Sequence, residues 1–288
     1  MGSQDKTVEF AEKMGANIFN YISDNRSEIR NRIVKESNTK FHMYLNPGET
    51  LIQGIQDIQK FKDHCAYLSI ITNGTLCKEI RLWNVENKFQ FKNPIFEYLD
   101  CKTDKQVNAF INGYVNNDLD QLRIIQDWRL SEPTNPSPYY YESLVMLSMG
   151  DLDKFLNLSD HYMFIEKNKT SMSAIMNRYY YALVNLHKGK VRPTLQNINL
   201  CICVKPLMAE FWCLIGDVYY YLIKDFNKAM VFYENAIILG NRRKKSDVWP
   251  MDISKYKEYP NKMIDSCKKI NESFGIYLTS NSLMTTVT

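Results

Sequence analysis

The sequence predicts two structural classes in one chain, an α/β layer followed by an all-α helical array, and two observations carry that expectation. Up to about residue 100, helical stretches alternate with short apolar strands, the pattern of a mostly parallel sheet layered with helices. From Asp104 onward strand signals fade and four short breaks recur, at Asn117-Asp118-Leu119, Gly150-Asp151-Leu152, Gly189-Lys190-Val191 and Lys224-Asp225-Phe226. Counted on the last residue of each, the intervals are 33, 39 and 35 residues, the period of stacked helical hairpins. The expected division is therefore 1–100, 101–275 and a disordered polar tail at 276–288.

In the first part, Thr7 to Met14 places Val8, Ala11 and Met14 on one apolar helical face, with Gly15 as the stop. A strand is expected at Asn17 to Tyr21, and a helix at Ser27 to Ser37 with Ile29, Ile33 and Val34 inward. Phe41 to Leu45 reads as a strand broken at once by Asn46-Pro47-Gly48-Glu49. A helix from Leu51 to about Lys60 and a strand from Tyr67 to Thr72 follow. The loop after the Phe41 strand is the candidate site, because open α/β sheets bind ligands beyond the carboxyl ends of their strands.

Composition narrows the function classes. The 288 residues are 45% hydrophobic and 24% charged, enough to bury two cores. A net charge of +4 without a basic stripe argues against nucleic acid or an anionic membrane, and the run Arg242-Arg243-Lys244-Lys245 reads as a solvated loop. No stretch reaches the length of a membrane helix, and no signal-like run follows Met1. Seven cysteines, odd in number and mostly scattered, fit reduced thiols in a cytoplasmic setting. The four histidines, His42, His64, His161 and His187, have no catalytic motif around them.

Several residues in register resemble the family 2 glycosyltransferases of GT-A fold. They are the run Gly2-Ser3-Gln4-Asp5-Lys6-Thr7-Val8-Glu9, then Gly15-Ala16, Arg30-Asn31, Asn46-Pro47-Gly48-Glu49, Glu79-Ile80-Arg81-Leu82-Trp83 and Pro94-Ile95-Phe96-Glu97. The resemblance implies a nucleotide-sugar donor bound near Arg30 and Asn31, with Arg81 on a strand beside it. It implies catalytic carboxylates at Glu49, the last acidic place of the metal motif, and at Glu97. It also implies manganese or magnesium, but the two aspartates that would hold the cation are Asn46 and Gly48 here, and Phe96 replaces a histidine. The family's first strands have no counterpart before Gly2. Either another chain supplies them, or the sheet is rebuilt, or the coding sequence is broken. The isolated chain is therefore expected to need no cofactor and to be impaired as an enzyme, with metal bound only where the site is completed.

The helical part resembles tetratricopeptide repeats, most clearly in Ala209-Glu210-Phe211-Trp212-Cys213-Leu214-Ile215-Gly216 and Tyr219-Tyr220, followed by Phe226, Ala229, Tyr233 and Ala236. That unit has one extra residue in its first half. Trp212 and Tyr233 are expected in its core. Earlier units are Tyr139 to Met149 with Leu152 to Ile165, and Asn177 to His187 with Thr194 to Val204. The triplets Tyr139-Tyr140-Tyr141 and Tyr179-Tyr180-Tyr181 read as packing in preference to a sugar-stacking platform, since consecutive helical residues point in different directions. Ser131 to Pro138 reads as a linker and Met263 to Ile270 as a closing helix. Beside sugar transfer, the sequence thus supports a second function class, a non-catalytic scaffold whose helical repeats bind a protein partner.

Overall fold

The computed structural model describes residues 6–113 and 119–284. The opening run Gly2 to Asp5, the break at Asn117-Asp118 and the last four residues of the expected tail lie outside the described residues. The chain divides into two compact units: Met1–Ile70 with Glu79–Ser131, and Ile71–Lys78 with Glu132–Thr288.

The first unit opens with α1 (Thr7–Lys13), ended at Gly15 with φ +77°. The expected strand at Asn17 to Tyr21 does not form. Its aromatic side chains go elsewhere: Phe19 stacks on Tyr21, whose hydroxyl donates to Glu36 and whose ring lies 4.7 Å from the Arg32 guanidinium. Both partners belong to α2 (Arg26–Glu36), capped by the Asn25 side chain accepting from the Glu28 amide at 3.1 Å. Ile33, expected inward, is 38% exposed.

Next come β1 (Phe41–Met43), β2 (Thr50–Gln53) and the short α3 (Ile55–Gln59). The helix expected from Leu51 is thus a strand in its first three residues. Gly54 marks the change, with φ +97° and so close an approach to β7 (Gln106–Asn112) that a Cβ would stand 2.4 Å from the Ala109 Cα. Between them lie β3 (Cys65–Thr72), β4 (Thr75–Asn84), β5 (Phe91–Lys92) and β6 (Tyr98–Leu99), and α4 (Leu119–Ser131) closes the unit.

The sheet order is β1-β4-β3-β7-β2. It is not the mostly parallel sheet that alternation predicted: β1 pairs antiparallel to β4, with Phe41 opposite Asn84, and β2 antiparallel to β7, with Thr50 opposite Asn112. The reason is that β3 and β4 are joined by the two residues Asn73-Gly74, both at positive φ, a turn that forces antiparallel neighbours. Strand β7 also falls where helices were expected, and by pairing with β2 it carries the first unit past residue 100 to Ser131. The period of two sorts the faces of β4. Leu82 joins Ala66, Leu68, Ile70, Ala109 and Ile111 in one buried cluster. Trp83 points the other way, to Cys65, Phe91 and Leu99, and Arg81 shares that face.

In the second unit helices run in hairpins. The pairs are α5 (Pro136–Ser148) with α6 (Leu152–Ile165), α7 (Met172–His187) with α8 (Val191–Val204), and α9 (Ala209–Asp217) with α10 (Phe226–Gly240). The expected breaks hold: Gly150 and Gly189 have φ +79° and +70°, and Lys224 has φ +63°. Between α9 and Lys224 the chain makes a π-helical turn, Val218–Ile223, which absorbs the extra residue read in this unit. A two-residue strand, β8 (Met251–Asp252), precedes α11 (Glu258–Met284). Helix α11 is longer than the expected closing helix, and it takes in residues 276–284 of the supposed tail.

The cores follow the hairpins. Ile175, Ile198, Phe211 and Leu214 form one cluster, and Cys213, Ala229, Tyr233, Met263 and Cys267 another. Tyr233 is fully buried, whereas Trp212 is only half-buried and donates its indole N–H to the Pro206 carbonyl at 2.7 Å. The tyrosine triplets pack as expected, with Tyr140 on Tyr162 at 5.4 Å and Tyr179 on Phe211 at 5.4 Å.

Candidate functional site

The residues picked out by the glycosyltransferase resemblance come together in the first unit. Strand alternation puts Arg81 on the Trp83 face of β4, the loop after β1 brings Asn46 and Glu49, and α2 brings Arg30. Glu49 is held as a saturated carboxylate. Its Oε2 accepts from Arg81 Nη1 at 2.8 Å and from the Asn46 amide at 2.6 Å; its Oε1 accepts from Arg81 Nη2 at 2.9 Å and Asn46 Nδ2 at 3.0 Å. This is a two-pronged, buried ion pair, with side-chain exposures of 2% for Arg81 and 5% for Glu49.

A second pair lies beside it. Arg30 Nε donates to Glu97 at 2.5 Å and its Nη2 to Asn46 Oδ1 at 2.6 Å, so Asn46 links the two. The Tyr44 ring takes both cations, with the Arg30 and Arg81 guanidinium carbons 4.1 and 4.2 Å from its centroid. Burial would by itself lower the Arg81 pKa, but Glu79 and Glu49 outweigh it and hold the guanidinium charged. Burial also raises the Tyr44 phenol. Asn31 stands apart from the charges: its side chain accepts from the Phe91 amide at 2.7 Å and donates to the Phe91 carbonyl at 3.0 Å, tying α2 to β5.

Such a cluster does not fit a divalent cation. Both Glu49 oxygens are already occupied, with a guanidinium where the cation would sit, Asn46 is spent on Arg30 and Glu49, and Gly48 has no side chain. No group of three metal-ligating side chains occurs among the described residues. Sequence reading found the cluster's members but missed Tyr44, whose position one residue before Leu45 offered no motif.

The second unit holds another buried polar assembly, at the strap between α10 and α11. Arg243, expected in a solvated loop, has a side chain only 2% exposed. It donates to the Trp249 carbonyl at 2.5 Å, the Pro250 carbonyl at 3.2 Å, Asp247 at 3.1 Å and the Tyr256 hydroxyl at 2.5 Å. Glu210, near the start of α9, accepts from the Asp252 amide at 2.8 Å and the Tyr256 hydroxyl at 3.0 Å. Burial pushes the Glu210 carboxyl up, while those two donors and Arg243 pull it back. Two carbonyls, a carboxylate and a hydroxyl as partners explain why one arginine of a basic run folds inward while its neighbours stay exposed.

No family model and no curated protein matches the chain. Solved structures similar to it include a fragment of MamA from Desulfovibrio magneticus RS-1, at 16% identity over 53% of this chain and 84% of that one, with a TM-score of 0.38. The TPR domain of Sgt2 from Aspergillus fumigatus is similar at 15% identity over 49% of this chain and 81% of its own, with a TM-score of 0.36. Yeast Tom70 is similar at 16% identity over 45% and 26% of the two chains, with a TM-score of 0.35.

Proposed function

We propose that the chain is a non-catalytic protein-interaction scaffold whose helical repeats bind a polypeptide partner. The observation that supports this reading is the serial arrangement of three helical hairpins with half-buried tyrosines on the first helix of each of the first two. Units of this kind bury their apolar sides mainly on one another and leave the remaining face for recognition. Sugar transfer draws no comparable support. Glu49 and Glu97 are neutralised by Arg81 and Arg30, so the groups that would act on a nucleotide sugar are engaged with each other. We read them as a lock that fixes the loop after β1. Among the described residues no helix is long and apolar enough to cross a membrane.

The test uses a photo-crosslinking amino acid at Tyr141 or Tyr181, on first helices, and at Phe164, on a second helix and 84% exposed. A partner captured from the first two positions is then purified, and its affinity measured against Tyr141→Ala and Tyr181→Ala. The scaffold reading expects each variant to weaken binding by about tenfold, as for an interface aromatic. It is overturned by robust manganese-dependent turnover of a nucleotide sugar that Glu49→Gln abolishes.

A further inference from the structure

Two cysteines of the first unit, Cys65 and Cys101, meet outside the charged cluster. Cys65, the first residue of β3, has no exposed surface, and Cys101, two residues past the end of β6, is half-buried. Cys65 belongs to the buried cluster with Trp83, Phe91 and Leu99, and Cys101 packs against it. Exposure alternates along the segment that carries Cys101: Asp100, Lys102 and Asp104 are exposed, whereas Cys101 and Thr103 are half-buried. The inward side of that segment lies on Cys65. Thr103 Oγ1 donates to the Cys65 carbonyl at 3.0 Å, the Cys65 thiol points at the Lys102 carbonyl 3.9 Å away, and the Tyr67 amide donates to the Lys105 carbonyl at 3.0 Å. The Cys101 thiol completes the contact with a hydrogen bond to the Cys65 sulfur.

Two of these bonds set the spacing without the thiols. The Thr103 and Tyr67 contacts use a hydroxyl and backbone groups, so the segment stays on β3 whatever the sulfurs carry. Reacting groups already held side by side join far faster than the same groups free in solution. Exposure also sets the order of events, since solvent reaches Cys101 and not Cys65.

We propose that Cys65 and Cys101 are a reversible disulfide site, a clasp that ties β3 to the segment entering β7. It goes beyond the scaffold reading and does not depend on it. The oxidant is a small disulfide, oxidised glutathione. The Cys101 thiolate attacks one of its sulfurs, and the first glutathione leaves as a thiolate. The Cys65 thiolate then attacks Cys101 Sγ, the new protein disulfide forms, and the second glutathione leaves. The chain gives up two protons and two electrons, which appear in two molecules of reduced glutathione; an excess of these drives the exchange backward. Burial and the neighbouring Cys65 thiol push the Cys101 thiol up. Its thiolate is therefore scarce at neutral pH, and the rate of closure follows the pH.

The experiment equilibrates the folded full chain with oxidised glutathione, blocks the remaining thiols, and maps the digested chain by mass spectrometry. A crosslink between the Cys65 and Cys101 peptides is expected, and reduced glutathione should remove it. Its rate of formation should rise about tenfold per pH unit, as for a thiol far below its pKa. The oxidised chain should need more denaturant to unfold than the reduced one, because the bond restricts the unfolded chain. Cys101→Ser should erase that difference, and Cys203→Ser, at an exposed position on α8, should leave it in place. Glutathione that stays on Cys101 without a crosslink overturns the proposal, as do thiols that remain free at both positions or an oxidised chain no more stable than the reduced one. The map is made on the native chain, so it decides the matter even where a variant does not fold.

Discussion

Two buried carboxylate arrangements, one in each unit, handle charge in opposite ways. In the first, Glu49 faces a guanidinium at 2.8 Å, and the second carboxylate, Glu97, faces another at 2.5 Å, so each negative charge meets a positive one. In the second, Asp217 is 6% exposed and is met by two neutral donors, the hydroxyls of Tyr233 at 2.7 Å and Tyr259 at 2.6 Å. A paired charge has a partner of opposite sign that offsets the lost hydration. A charge met only by hydroxyls keeps part of its desolvation cost, which burial expresses by raising the Asp217 pKa. The first arrangement fixes a loop; the second leaves a site whose stability answers to pH.

The largest expected effects come from breaking each arrangement on one side. Arg81→Ala leaves Glu49 buried and unpaired and should cost about 3 to 5 kcal/mol in chemical denaturation. The double variant Arg81→Met with Glu49→Leu should recover most of that, since two apolar groups replace a pair whose net worth is small. If the double variant is as damaged as the single one, the lock reading fails. Tyr233→Ala, in the other unit, should cost about 3 to 5 kcal/mol by opening a cavity against Gly216.

Gly216 sharpens the comparison from the opposite direction. A Cβ there would stand 2.6 Å from the Tyr233 ring, and that ring is held at its far end by Asp217. Gly216→Ala should therefore cost about 1 to 3 kcal/mol by overpacking, despite the better helix propensity of alanine. A stabilised variant would show that the Tyr233–Asp217 bond does not restrain the ring.

The pH test separates the units. Because the folded pKa of Asp217 is raised above its unfolded value, the folded state holds the proton more tightly than the unfolded state. Its contribution to stability is full below the unfolded value of about 3.9 and is lost as pH rises through the folded value. Asp217→Asn should remove that slope, so the variant gains on the parent as pH rises above about 4. Equal slopes in the two chains, measured by denaturation from pH 4 to 7, would mean the phenols fully replace hydration. The smallest effect expected is from helix caps: Asn25→Ala in α2 and Asp151→Ala in α6 should each cost about 1 kcal/mol, alike in both units.

The units also differ in how legible they were. Helical hairpins announce themselves locally: Gly150 and Gly189 end helices at their own positions, and Asp151 and Asp225 cap the next ones through their own side chains. Sheet direction is not local. Thr50 to Gln53 reads as helix or strand until Asn112 and Ile111 are known to lie opposite, and only Gly54 in mid-run hinted at the break. The candidate site shows the same limit. Arg30, Asn46, Glu49, Arg81 and Glu97 were all singled out, and all but Asn31 among the chosen side chains meet in one network. Spacing could not show that they neutralise one another. Arg243 was misjudged for a related reason, since half of its partners are backbone carbonyls that no residue type advertises.

The π-helical turn at Val218–Ile223 carries a further meaning, about how such a chain tolerates change in length. A residue inserted into a regular helix turns everything after it by about 100° and would swing the packed face out of the core. Spreading the surplus over one widened turn keeps Phe211 to Asp217 seated on one side and hands Lys224 to α10 in its proper phase. The turn works as an expansion joint: the helix on one side and the hairpin on the other keep their alignment while the joint holds the excess. Tyr219, Tyr220 and Tyr221 lie on it, so the orientation of these three rings is set by where the slack was placed.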